Sequence, residues 1–546
     1  MTDSPAAAPE AVPGLTAQPE LRRDVSVWGS YMWGFADVGA ATYVALGLVM
    51  AYAQGASSLA FGLAGLVYIM IGLAYTELAS AYPVAGGGQF FTLRGLGDFW
   101  GFVAGSALLL DYTIDIALFS VACAGYVNFF LPYLIGVEIS HFTVSFGPFH
   151  GVNYLWAAET LLLIALLVGL NIRGMRESSL LNEVIGVVVI ATESSLILIG
   201  FLAAWRPDIF TFQWRHEFPN LHNFMYGSSL AIISFVGLES ISQAAQETRR
   251  PATIVPRTSI ALIFTVFVFA VAFSTLGLGM ALPPEGKAVQ PWQILALHQD
   301  NPVAVLAKAL PYVGIIAGPF AAGLGALILL ISANSGVMSV SRLTFSMSRF
   351  HFISPWFEKL HPKFSTPVRT IVVFSLIGAV QTILAFLTGP RAMDTLANMY
   401  AFGATTGYTL VFISLIRLRF IDPYTPRPYK VPLNIRLRRR GQGPRVEFPV
   451  LAVFGTLGVA SILFIVILTH EIGRIAGPAW ITLCFLYFAW FRRRSRLPVF
   501  RSLPRPWEKL QAQVLKGAEE FDLLEQYRVA LAVRDAEKTH PPKAQP

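Results

Sequence analysis

The sequence predicts an all-α polytopic membrane protein of about 12 transmembrane helices, and three observations carry that prediction. Of 546 residues, 55% are hydrophobic and 13% charged, with a mean hydropathy of +0.58, too apolar for a soluble chain of this length. Apolar runs long enough to cross a bilayer recur at 31–53, 57–80, 99–130, 152–170, 181–204, 223–244, 258–281, 312–345, 367–388, 392–416, 448–470 and a shorter 476–491. The connections between them sort by charge. With an inside N-terminus, the outward Lys and Arg are Arg206, Arg215, Lys287, Lys308, Arg391 and Arg474, and the rest fall inside. Both termini are therefore expected in the cytoplasm, with the chain in the cell membrane, plasma or inner.

Several function classes drop out on composition. The net charge of +8 is a topology signal, with anionic lipid as a secondary attraction, and does not point to nucleic acid. Cys123 and Cys484 lie inside predicted spans and argue for neither a disulfide nor a metal site. His141 and His150 are nine apart, without zinc-ligand spacing. No cofactor or metal is expected. Without a phosphate-binding glycine loop or a partnered catalytic constellation, neither an ATP-driven pump nor an enzyme is indicated.

Taken in order, residues 1–24 form a Pro- and Ala-rich tail, read as a disordered cytoplasmic segment and not as a signal peptide. The first span carries Asp37 followed by Gly39, Ala40 and Ala41. An acid at membrane depth costs about 2.5–3.5 kcal/mol on insertion scales, so it is expected to face a cavity or an ion. The small residues let backbone approach a ligand or leave the helix, which predicts an interrupted helix. The alternative is an Asp37 hydrated near the helix end or paired with Arg22 or Arg23.

The second span ends in a loop broken by Pro83 and Gly86 to Gly88. In the third, Asp111 and Asp115 are four apart on one face, with Tyr112 beside them, and either face the bundle interior for cation recognition or are satisfied by backbone or an Arg. The fifth holds Glu193, either a buried carboxyl able to take and release a proton or a residue near the outer end touching water. In the sixth, Ser234 precedes Gly237 and Glu239, so an apolar run is interrupted next to an acid for the second time. Residues 282–311 form an outer segment that could cap a pathway, and span ten places Tyr400 near Gly403 and Gly407. After Arg496, apolar residues from Trp507 to Leu531 recur at helical spacing. They predict an amphipathic helix that docks on the protein itself, on a partner or on lipid.

Several stretches together resemble the amino acid, polyamine and organocation (APC) transporter superfamily over roughly residues 25–500. They are YTELASAYPVAGGGQF after the second span, the basic turn NIRGMRESSLLNEV, and Glu247, Pro251 and Pro256 after the sixth span. The exit of span eight and YTPRPYKVP before the eleventh add to it, although a common R-D-G-x-L-P is here Arg349-Phe-His-Phe-Ile-Ser-Pro355. The resemblance implies a 5+5 inverted repeat (LeuT-like, or APC, fold) plus two extra helices. Residues 25–204 would be the first repeat, 205–420 the second, 421–447 a basic linker, 448–491 two helices for scaffold or homodimer contacts, and 492–546 the cytoplasmic tail. Broken first and sixth helices would meet at the membrane midplane, where half-helix ends hold ligands.

Residue by residue, the resemblance implies a secondary active permease working by alternating access, coupled to protons. Where such permeases carry G-S/A-G to hold a substrate carboxylate, this chain has Asp37-Val-Gly-Ala-Ala41, which favours an amino acid with a cationic group, a polyamine or a related organic cation. The binding set is Asp37, Gly39, Ala40, Ala41, Tyr43, Asp111, Tyr112, Ser234, Gly237, Glu239 and Tyr400, with Glu193 and Asp115 for the proton. Some proton-coupled members use a lysine in the fifth helix, and this chain has none from Asn182 to Ala204. The alternative resemblance is to KUP-like potassium importers, with potassium at Asp37, Tyr43 and Tyr400. Tyr43 is one residue closer to the Asp than in that pattern, and Val236 stands where a hydroxyl is usual. An ion channel is the third reading.

Overall fold

The computed structural model describes residues 27–84, 86–173, 179–245, 248, 250–364, 366–437 and 446–539. The predicted N-terminal tail, Arg176 in the fourth-to-fifth turn, and Glu247 and Arg249 after the sixth span lie outside the described residues. Among the described residues, eleven helical stretches are long and apolar enough to cross a membrane. The first, Val27–Ala81, turns at Gln54–Ala56, so it holds two helices, α1 (Val27–Ala53) and α2 (Ser57–Ala81), and the crossings number twelve as predicted.

A short helix α3 (Gly87–Leu96) follows, entered through Gly86 at φ 105° and Gly87 at φ 44°, conformations that glycine adopts without a Cβ penalty. Then come α4 (Asp98–Asn128), α5 (Tyr154–Arg173) and α6 (Ser179–Ile199). The outer connection between α4 and α5 contains an antiparallel hairpin, β1 (Thr143–Phe146) with β2 (Phe149–Asn153), in which Val144 pairs with Val152.

The sixth crossing is broken as expected. Helix α7 (Leu221–Ala231) tightens into a 3-10 turn at Ile232–Phe235, passes Gly237 at φ 118°, and resumes as α8 (Glu239–Ala244). The second half of the molecule continues with α9 (Pro251–Gly279), α10 (Gly314–Arg349), α11 (Val368–Phe386) and α12 (Ala392–Ile421). A second hairpin, β3 (Asn434–Leu437) with β4 (Val446–Pro449), precedes α13 (Val450–Thr469) and α14 (Gly473–Arg494).

The expected interruption of the first helix does not form: α1 is helical without a break through Asp37, Gly39, Ala40 and Ala41. One glycine costs a helix about 1 kcal/mol relative to alanine, and the two alanines beside it are the strongest helix formers, so local preference keeps the helix intact. The predicted single tail helix is also corrected. It is two helices, α15 (Trp507–Gly517) and α16 (Phe521–Thr539), separated at 518–520, where Glu519 takes φ 58°.

The architecture follows from which helices bury all faces. In α1 and α4 nearly every residue is buried, which places them centrally. Helix α4 packs on α10 and α12, α2 packs on α9, and α1 lies against α7, α9 and α10. By contrast α13 and α14 leave Phe454, Leu457, Phe464, Leu483 and Leu486 exposed, an apolar rim suited to lipid. On the face that carries the basic connections, buried ion pairs tie elements far apart in sequence. Glu77 of α2 accepts from Arg419 of α12 at 2.6 and 2.7 Å, and Asp98 pairs with Arg492 at 2.6 Å and with Arg505 at 2.5 Å. Of the three docking surfaces expected for the tail, it takes the protein itself. Gln511 donates to the Ala81 carbonyl at 2.9 Å, and Glu520 accepts from the Ala252 amide at 3.0 Å.

Candidate functional site

The centre of the bundle brings together four carboxyls. Asp37 comes from α1, Asp111 and Asp115 from α4, and Glu239 from the start of α8. They are 4%, 0%, 3% and 1% exposed, and they act on one another electrostatically. The other groups acting most strongly on them are tyrosines and serines. Like charges at short range in a low-dielectric interior repel strongly, so such a cluster holds its charge only with protons or a cation among its members.

The broken sixth crossing is what brings Asp37 and Glu239 close. A Cβ on Gly237 would sit 3.1 Å from the Asp37 carboxyl carbon and from its Oδ2, so only glycine lets this turn rest against the acid. The Gly237 amide donates to Glu239 Oε2 at 3.2 Å, and the Tyr408 hydroxyl donates to the same oxygen at 2.7 Å. Ser332 of α10 donates to Asp37 Oδ1 at 3.2 Å, which rules out the alternative of a hydrated Asp37 at a helix end. Tyr400 donates to Asp115 Oδ1 at 2.9 Å. Asp111 and Glu239 bond to one another through their carboxyls, and the hydroxyl of Ser234 is buried without a hydrogen-bond partner among the described residues. Tyr112 is buried next to Asp111 in the chain.

Tyr43 belongs elsewhere. Its hydroxyl faces Glu193 of α6, and its ring meets Tyr126 edge-on at 5.6 Å. The Tyr126 hydroxyl donates to the Tyr43 carbonyl at 3.2 Å and accepts from the Val303 amide at 3.3 Å, linking this group to the short helix Pro302–Lys308 of the outer segment. The expectation that Tyr43 joins Asp37 is therefore corrected, because six residues along an unbroken helix turn it through about 600°, well away from the acid's face. Glu193 is 1% exposed and does not touch water at a helix end. The small residues Gly39, Ala40 and Ala41 pack as part of an intact helix, so their amides are engaged within it.

Sequence reasoning missed Ser332 and Tyr408. The signals were present: a run of serines in span eight, and a second tyrosine eight residues after Tyr400, on nearly the same helical face. It also missed a polar knot between α7, α12 and the turn after α13. There the Tyr226 hydroxyl lies 3.0 Å from both oxygens of Asp394, and Ser229 lies 2.8 Å from Nε2 of His470.

A multi-pass helical fold with one broken crossing and an enclosed polar centre defines a membrane transport protein, and comparison with known proteins agrees. The sequence model of the family described as amino acid permease matches residues 25–490, and the chain belongs to that family. Branched-chain amino acid permease BcaP of Bacillus subtilis is 23% identical over 495 residues, 89% of this chain and 97% of that protein. The methylthioribose transporter of the same organism is 28% identical over 431 residues, 78% and 87% of the two chains. Cationic amino acid transporter 4 of Mus musculus is 27% identical over 411 residues, 73% of this chain and 60% of the mouse protein. The protein is a multi-pass membrane transporter of small molecules and not an enzyme.

Proposed function

We propose that this permease moves an amino acid with a cationic side chain, a polyamine or a related organic cation by alternating access, coupled to protons. The observation that carries the reading is the convergence of the buried Asp37, Asp111, Asp115 and Glu239, with Asp111 and Glu239 joined carboxyl to carboxyl. An ammonium or guanidinium group offers donors and a positive charge to those carboxyls. Cationic amino acid transporter 4 agrees with this class by its name, while BcaP, named for branched-chain amino acids, agrees only with an amino acid substrate. Asp37, Asp111, Ser234, Gly237, Glu239 and Tyr400 form the substrate region, with Tyr112 beside it. Asp115 and the separate Glu193–Tyr43 pair handle the proton.

Enclosure of the carboxyls on all sides fits an occluded state, from which rocking of residues 25–204 against 205–420 opens one face at a time. The termini lie in the cytoplasm, the protein resides in the plasma or inner membrane, and the exposed rim of α13 and α14 serves a homodimer. Potassium is the second reading, favoured by the buried Asp111–Glu239 carboxyl pair and opposed by Val236, whose side chain has no oxygen to offer. Purified protein in liposomes with an inward proton gradient distinguishes them. Labelled lysine, arginine or putrescine accumulates under the proposal. Rubidium uptake alone establishes the second reading.

A further inference from the structure

The basic face holds a cleft of about 410 Å³ that the transport site does not use. Its floor is the segment joining α12 to β3, and one wall is the tail helix α16. Arg419, Arg427, Lys430 and Glu447 line it. Glu77 lies behind them, bonded to Arg419 and 3.4 Å from Arg427. Glu447 is shared by Lys430 at 2.7 Å, Arg419 at 3.5 Å and Arg436 at 3.9 Å. The neighbouring Asp422 is matched by Arg94 at 2.6 Å. Three carboxylates, Glu77, Glu447 and Asp422, thus serve five cations, Arg94, Arg419, Arg427, Lys430 and Arg436. Arg427 is 5% exposed along its side chain; its Nε faces Glu77 Oε1 at 3.4 Å, and its terminal nitrogens donate to the carbonyls of Thr425, Leu418 and Asp422 and to the Tyr82 hydroxyl. Burying cations that outnumber their carboxylates costs free energy, and an anion in the cleft offsets it.

We propose that this cleft binds the phosphate group of a small organic ligand and thereby links the C-terminal tail to the end of α12. Arg and Lys are the side chains that recognise phosphate oxygens, and the uncompensated charge here matches a phosphate mono- or dianion. The volume falls in the range of small-molecule sites, and a bare phosphate would leave most of it empty. Tyr424 and Leu523 supply a ring face and an apolar wall for the organic part. Because α16 contributes Leu523 and Ala530, an occupied cleft fastens the tail to the transport body, and an empty one leaves it held by Gln511 and Glu520. The phosphate belongs either to a soluble metabolite or to a lipid headgroup at the membrane surface.

The test uses the full chain in nanodiscs and reads binding and melting midpoint, so it does not depend on the transported substrate. AMP, inorganic phosphate and a phosphatidylglycerol bilayer are compared against phosphatidylcholine alone. Lys430→Ala removes an accessible cation, and Ala530→Trp fills the cleft without changing its charge; melting without ligand confirms that both fold. Saturable AMP binding in phosphatidylcholine, weakened at least about tenfold in both variants, supports a soluble phosphate ligand. Stabilisation by phosphatidylglycerol alone, lost in both variants, supports the headgroup. Absence of any effect from all three probes, or an effect that both variants retain, overturns the proposal.

Discussion

Replacing Asp37 by Asn separates the charge of this side chain from its shape. The carbonyl oxygen of the introduced amide can still accept from Ser332, which lies 3.2 Å from Oδ1 of the native carboxyl, and the amide nitrogen takes the place of Oδ2 beside Gly237. What disappears is one negative charge in a centre that holds three further carboxyls. A charge-assisted hydrogen bond from a buried ammonium is worth about 1.5–3 kcal/mol, which corresponds to an affinity loss of about ten- to 150-fold. Stability moves the other way, because repulsion within the cluster is relieved while the hydrogen bond to Ser332 survives. Asp37→Asn should therefore leave the melting midpoint equal or higher and lower uptake at subsaturating substrate by one to two orders of magnitude. The assay is initial-rate uptake into liposomes at matched protein density, with melting measured on the same preparation. Uptake close to wild type would refute the assignment, and a large fall in the melting midpoint would show that Asp37 acts as a structural residue.

Three further outcomes are expected. Glu193→Gln should flatten the pH dependence of uptake, and a profile unchanged from wild type would remove Glu193 from proton coupling. Gly237→Ala forces a side chain into a φ of 118°, 3.1 Å from the Asp37 carboxyl, so stability should fall by about 1–3 kcal/mol and uptake with it; normal behaviour of both would contradict the close approach at the break. On the basic face, burial works to raise the Asp422 carboxyl, but Arg94 and Arg427 outweigh it and hold the group below its usual range. A depressed carboxyl stabilises the fold above its unfolded value of about 3.9 and loses that contribution as pH falls through the lower folded value. Acid melting scans should therefore show Asp422→Asn destabilised at neutral pH, with the gap to wild type closing below about pH 4; a constant gap would mean that ionisation of Asp422 is not the source.

The crossings were legible in the sequence because a bilayer leaves the backbone few options, and helices that span it must be long and apolar. The break at Gly237 was legible for the same reason, since a glycine beside an acid inside an apolar run has few structural uses. Asp111 and Asp115 were readable from cost alone. The continuity of α1 was not, because the resemblance pointed to an unwound segment while the alanines at 40 and 41 favour helix, and only local energetics decides between them. The direction of Tyr43 depended on that same continuity. Ser332 was hidden because serine is common on helices with small-residue faces, and its role comes from packing of α10 on α1. The split of the tail at Glu519 follows from where Glu520 meets the start of α9, a contact between residues 268 apart in sequence.

The most direct test of the central claim is ligand binding to Asp111→Asn. Asp111 is fully buried, with its carboxyl bonded to that of Glu239 at the centre of the cluster, and a cationic group bound there takes up this carboxyl pair. Without ligand, Asp111→Asn should melt no lower than wild type, while stabilisation by arginine, lysine or putrescine should be abolished. Undiminished stabilisation of the variant by those cations would contradict the claim that the buried carboxyls form the substrate site.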